Sequence, residues 1–147
     1  EIDVSGSGNI KSHFYGRNLE SSISGSGLMA IVAKCDTINT TISGSGGIDL
    51  EAFNCLFTEV TISGSGKAEM TGSSDKVKFN ILGSGKISAY DFPVKDADVT
   101  VSGSGDVYMY VTDFLDALLT GSGNLHYKGT PKISFNTLGS GNLINEN

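Results

Sequence analysis

Outside its glycines the chain alternates. Thr41-Ile42-Ser43, Thr61-Ile62-Ser63 and Thr100-Val101-Ser102 each set one apolar residue between two polar ones, the period-two signature of a strand with one wet face. The alternation falls into two columns fixed by the tripeptide Gly-Ser-Gly. Two residues ahead of it come Ile23, Ile42, Ile62, Ile81, Val101, Leu119 and Thr137. Two residues past it come Ile10, Met29, Ile48, Ala68, Ile87, Val107, Leu125 and Leu143. No helical period competes, so the pattern predicts two or three strands per unit, each of roughly 4–6 residues.

The tripeptide occurs eight times, at Gly6, Gly25, Gly44, Gly64, Gly83, Gly103, Gly121 and Gly139, with spacings of 19, 19, 20, 19, 20, 18 and 18 residues. A fixed period of this length marks one structural unit stacked along an axis. The predicted architecture is all-β: a single-stranded, right-handed parallel β-helix, or solenoid, of about seven coils of about 19 residues, with 1–147 as one domain. Parallel pairing at ~4.8 Å per coil would make a rod of roughly 34 Å. The first glycines above and their partners Gly8, Gly27, Gly46, Gly66, Gly85, Gly105, Gly123 and Gly141 are then structural corners, where glycine turns the chain without a Cβ clash. The serine between them is expected to stack on its equivalents and share its hydroxyl along the ladder.

Nucleotide motifs fail against the same glycines. A P-loop needs a glycine five positions before the last Gly and a Ser or Thr after the Lys. Gly66-Lys67 has Thr61 and Ala68 in those places, and Gly85-Lys86 has Asn80 and Ile87. No copy continues as Gly-x-Gly-x-x-Gly. The net charge of −6, the lone arginine, Arg17, and the lack of a visible basic patch argue against both nucleic acid and anionic membrane as partners. No apolar run approaches the ~18 residues of a transmembrane helix. At 147 residues and 38% hydrophobic content a buried core is affordable.

The stretches TISGSGGIDL, TVSGSGDVYMY and GSGNLHYKGTPKISFNTLGSGNL resemble the head GIN domain of autotransporter adhesins of Gram-negative bacteria, over about Val4 to Leu143. That resemblance implies a β-helix-like solenoid, export to the periplasm, cell surface or exterior, and an adhesin role. It brings no catalytic motif. In the family's usual layout a β-rich segment without Gly-Ser-Gly precedes the repeats, whereas here the first corner arrives at Gly6. The expectation is a piece of a larger exported protein, or solenoid ends that associate with other chains, since bare ends expose strand edges.

Candidate binding residues follow from the pleat. If the second position past a corner points inward, the third and fifth point outward, and one face gathers Asp49, Glu51, Glu69, Tyr90, Tyr108, Tyr110 and His126. Tyrosine offers an apolar ring with a polar tip, and carboxylates accept sugar hydroxyls. The same stacked tyrosines would equally serve to stabilise neighbouring strands. The opposite outward ranks, Ser22, Thr41, Thr61, Asn80 and Thr100 with Ser24, Ser43, Ser63, Ser102 and Thr120, resemble a hydroxyl lattice of the ice-binding kind. Leu82, Leu118 and Leu138 interrupt it, and a solvated strand surface explains it as well.

Cys35 and Cys55 fall at similar points of adjacent coils, within reach of a disulfide; two free, packed thiols are the favoured expectation. Together with the distant His13 and His126 they make no zinc site, and no cofactor is implied. Asp49 and Glu69 on adjacent coils would come near the ~5 Å separation of a retaining glycosidase, while Arg17 lies far along the axis from them. The resulting expectation is a non-enzymatic structural or adhesive module that binds a glycan or a protein. The alternatives are self-assembly into a homo-oligomer through uncapped ends, and a polysaccharide-active β-helix enzyme.

Overall fold

The corner shows how the sequence bends. In a computed structural model describing all 147 residues, Gly44 has φ of +112°, in the region L side chains avoid. Gly46 answers a different constraint. A Cβ there would lie 2.5 Å from Ile23 Cγ2 and 2.7 Å from the Gly27 carbonyl oxygen. The first glycine turns the chain, and the second lets it close onto the coil before. Across the corner the Ser45 N–H donates to Gly25 O at 2.9 Å and the Gly47 N–H to Gly27 O at 3.0 Å, so the inter-coil ladder continues through the bend. The eight corner serines are all exposed, and their hydroxyls do not form the expected ladder. The backbone amide already carries the bond between coils, which leaves the side chain to water.

Twelve strands run through the chain: β1 (Ile2–Gly6), β2 (Asn9–Tyr15), β3 (Asn18–Gly25), β4 (Leu28–Lys34), β5 (Thr37–Gly44), β6 (Gly47–Gly64), β7 (Lys67–Gly83), β8 (Lys86–Gly103), β9 (Asp106–Gly121), β10 (Asn124–Lys128), β11 (Lys132–Gly139) and β12 (Asn142–Asn145). Every pairing is parallel. Segments that follow a corner stack into a leading face, β2-β4-β6-β7-β8-β9-β10-β12. Segments that precede one stack into a trailing face, β1-β3-β5-β6-β7-β8-β9-β11. Each face has eight rungs, which makes seven full coils with a half coil at each end.

The predicted columns are direct partners. Ile23, Ile42, Ile62, Ile81, Val101 and Leu119 pair in succession on the trailing face. Met29, Ile48, Ala68, Ile87, Val107 and Leu125 do so on the leading face. They belong to a single core of 34 buried residues between the faces. Three terminal members depart from this: Ile10 and Leu143 are only partly buried and Thr137 is exposed, because the end rungs have a neighbour on one side only. Inward polar residues pair with one another, Ser21 with Thr40 at 2.9 Å and Thr58 with Ser74 at 3.3 Å, so no buried side-chain polar atom lacks a partner.

A second bend joins the two faces and carries no repeated motif. In the middle coils β6 to β9 run through it as strands of 16 to 18 residues, so the expected division into short strands does not hold there. The ladder instead absorbs the bend in register shifts, between Ala52 and Cys55, between Glu69 and Thr71, and between Ala89 and Val94. Positive φ appears at Asn54 (59°), Gly72 (125°) and Gly129 (98°). Cys35 and Cys55 meet beside this bend as free, buried thiols.

Candidate binding face

The pleat of the leading face decides which side chains meet. Its third outward column runs Lys11, Ala30, Asp49, Glu69, Ser88, Tyr108, His126 and Ile144 in unbroken register. Asp49 and Glu69 are therefore neighbours, as are Tyr108 and His126. Glu51 stands in the fifth column opposite Thr71, and Tyr110 pairs with Lys128; both flank the others. Tyr90 is displaced by the register shift that aligns Asp91 with Thr71. Its ring turns toward the third column and meets Tyr108 edge-on, with centroids 5.6 Å apart and planes at 80°.

Two shallow concavities share this face. One, of about 470 Å³, is lined by Asp49, Glu69, Thr71, Lys86, Ser88, Tyr90, Asp91 and Tyr108. The other, of about 510 Å³, lies toward the N-terminal rungs between Lys11, Leu28, Ala30, Gly47 and Lys67, and reaches the same Asp49 and Glu69. Its depth comes from missing side chains. Ala30 is small, and Gly47 has no Cβ, leaving room for Leu28 Cδ2 to lie 3.1 Å from where that atom would be. Asp49 and Glu69 thus stand on the ridge between two hollows, and neither is in an ion pair.

The aromatic cluster is internally satisfied. Tyr108 stacks on His126 at 4.4 Å with planes 11° apart, and Lys86 Nζ lies 4.8 Å over the Tyr108 ring. Lys86 comes from the rung before Tyr108 and His126 from the rung after, so both faces of the phenol are covered. Lys128 Nζ sits 4.5 Å over Tyr90, and His126 Nδ1 meets Glu146 Oε1 at 2.7 Å. Burial, with lesser contributions from Glu146 and Tyr108, pushes the Tyr90 phenol above its ordinary value. The surface therefore offers ring edges, phenol tips and lysine ammonium groups, since the flat ring faces of Tyr108 are taken. Sequence reasoning missed Lys86, Lys128 and Glu146, which become neighbours only through register. Gly47 was the available signal: it is a glycine directly after a corner that needs no positive φ. No group of three or more His, Cys, Asp or Glu is close enough to hold a metal ion.

The family model described as "Putative auto-transporter adhesin, head GIN domain" matches residues 1–78 and 57–131. The chain belongs to the head GIN domain family. A structure from Parabacteroides distasonis ATCC 8503 described as a "putative lipid binding protein" is 31% identical. It superposes with a TM-score of 0.94 over 99% of this chain and 61% of its own. A "putative adhesin" from the same organism is 24% identical, with a TM-score of 0.85 over 98% of this chain and 63% of its own. The second likeness shows the fold. The head GIN chain thus spans less than two thirds of either neighbour. A search of curated proteins finds no match. Neither the family nor these neighbours carry an enzymatic description, and no helix is long and apolar enough to cross a membrane.

Proposed function

We propose that this head GIN chain is a non-enzymatic adhesive module of an exported protein of a Gram-negative envelope, and that its leading face holds a glycan or a protein surface. The observation that carries the reading is the placement of Asp49 and Glu69. They are two acceptors without cationic partners on the ridge between two hollows, with the Tyr90 and Tyr108 edges on one side and the apolar floor of Ala30 and Gly47 on the other. Ionised carboxylates accept hydroxyl and amide donors strongly, and tyrosine edges add apolar contact with a polar tip. A row of hollows along a rigid rod suits an extended ligand, since each coil offers similar spacing at ~4.8 Å.

A glycan array on the purified chain tests this reading. Binding to a subset of glycans is expected, and the double variant Tyr90→Ala with Tyr108→Ala should weaken every hit by about tenfold, as loss of two half-buried aromatic contacts implies. Unchanged binding by that variant would remove the aromatic part of the site. Release of reducing sugar from any bound glycan would instead favour the enzymatic alternative. Concentration-dependent sedimentation, absent glycan binding, would favour association through the terminal rungs.

A further inference from the structure

The second bend of the first three coils is unlike the rest. Tyr15, Phe53 and Leu56 are 73%, 54% and 56% exposed there, and the ladder places them together. Tyr15 pairs with Lys34, and Phe53 directly follows Ala52, the last β6 residue to pair with β4, opposite Ala33. In the adjoining column the Asp36 N–H donates to Arg17 O and the Leu56 N–H to Asp36 O, so Arg17, Asp36 and Leu56 stack. Later bends carry Ser73, Asp75, Lys95, Thr112, Asp113 and Thr130 in the corresponding region.

This apolar bend is built deliberately by the backbone. The coil that carries Phe53 and Leu56 is 20 residues long where the two before it have 19. The extra residue produces the register shift between Ala52 and Cys55. Asn54, between the two apolar residues and next to Phe53, is the one non-glycine residue with positive φ. Asparagine is among the few non-glycine residues that adopt this region readily.

We propose that this bend docks onto an anionic lipid surface. Tyr15, Phe53 and Leu56 would enter the headgroup region, with Arg17 and Lys34 on lipid phosphates; Asp36 is the one carboxylate of these three rungs within the two columns, and Asp75, which follows Leu56 in its column, is paired with Lys95 at 2.8 Å. Shape and charge favour lipid over a protein partner. The three side chains offer roughly 300–400 Å² of surface, well short of the ~800 Å² per partner of a stable protein interface. They also crown a convex bend, to which a fluid bilayer conforms. Aromatic and aliphatic tips flanked by basic groups are the chemistry of interfacial anchoring, and here the pattern includes the only arginine of a chain with net charge −6.

Vesicle co-sedimentation of the full chain tests the proposal, using phosphatidylethanolamine–phosphatidylglycerol vesicles and vesicles of phosphatidylcholine alone. The chain should bind the anionic vesicles preferentially, and more weakly as salt rises. Phe53→Ser with Leu56→Ser should reduce binding by about tenfold or more. Arg17→Glu with Lys34→Glu should reduce it by a similar factor on anionic vesicles only, at about fivefold or more per basic group. Leu82→Ser with Leu138→Ser, exposed apolar residues away from the bend, should leave it unchanged. Because the chain has no tryptophan, Phe53→Trp supplies a single reporter whose emission should shift to the blue on vesicle addition. Absence of binding to anionic vesicles, or binding indifferent to the Phe53 and Leu56 substitutions, would overturn the proposal. So would self-association abolished by those substitutions in a chain that ignores vesicles, which would make the bend a protein interface.

Discussion

At the scale of single residues, position in the coil sets chemistry. Cys35 and Cys55 are ordinary thiols by sequence, yet burial followed by the neighbouring Cys55 pushes the Cys35 thiol from 9.0 up to about 11, and burial also raises Cys55. A raised thiol pKa means that the folded state holds its proton longer than the unfolded one. The corresponding stabilisation is complete below pH 9 and is lost as pH rises through about 11. The thermal midpoint should therefore fall between those values, and Cys35→Ser should flatten the fall. A midpoint that drops equally in both proteins would show that other groups govern alkaline unfolding. The same dependence on place explains Asp49 and Glu69, which acquire meaning from the hollows on either side of them.

At the scale of the element, the Gly-Ser-Gly corner is a single device used eight times. Gly64 has φ of +118°, and a Cβ there would lie 2.6 Å from Gly44 O. Gly64→Val therefore combines backbone strain with a clash against the preceding coil, and should destabilise the chain by ~1–3 kcal/mol or more. Denaturant unfolding checks the magnitude. Ligand affinity of the fraction that folds should be unchanged, since the corner does not line the Tyr90 and Tyr108 hollow. The leading and trailing strands were legible in the sequence because their inward columns repeat in step with a motif. The second bend was not. Its turn is made with positive φ at Asn54, Gly72 or Gly129 in different coils, without it at the Gly16 bend, and by shifts of register, which share no letters. Three of the four glycines outside the corners lie at it, and that was the remaining trace.

At the scale of the whole molecule, two long faces and two edges divide the work. The trailing face carries ranks of small polar residues and a hollow of about 390 Å³ between Phe57, Lys76 and Phe114, the leading face carries the two hollows beside Asp49 and Glu69, one edge is the glycine corner, and the other bears the apolar bend near Phe53. The solenoid could be read because its stacked columns Ile42, Ile62 and Ile81 are one-dimensional and repeat. The candidate face could be read only in part. Alternation placed Asp49, Glu69, Tyr108 and His126 on one side, but the bulge that turns Tyr90 toward Tyr108 and the lysines over the rings depend on three-dimensional register. The most direct measurement is a calorimetric titration of the strongest glycan hit into the chain and into its Asp49→Asn, Glu69→Gln double variant, with circular dichroism confirming equal folding. Loss of at least about tenfold in affinity, equivalent to ~1.4 kcal/mol, is the result this account predicts. Equal affinity in two equally folded proteins would contradict it and move the binding site off the leading face.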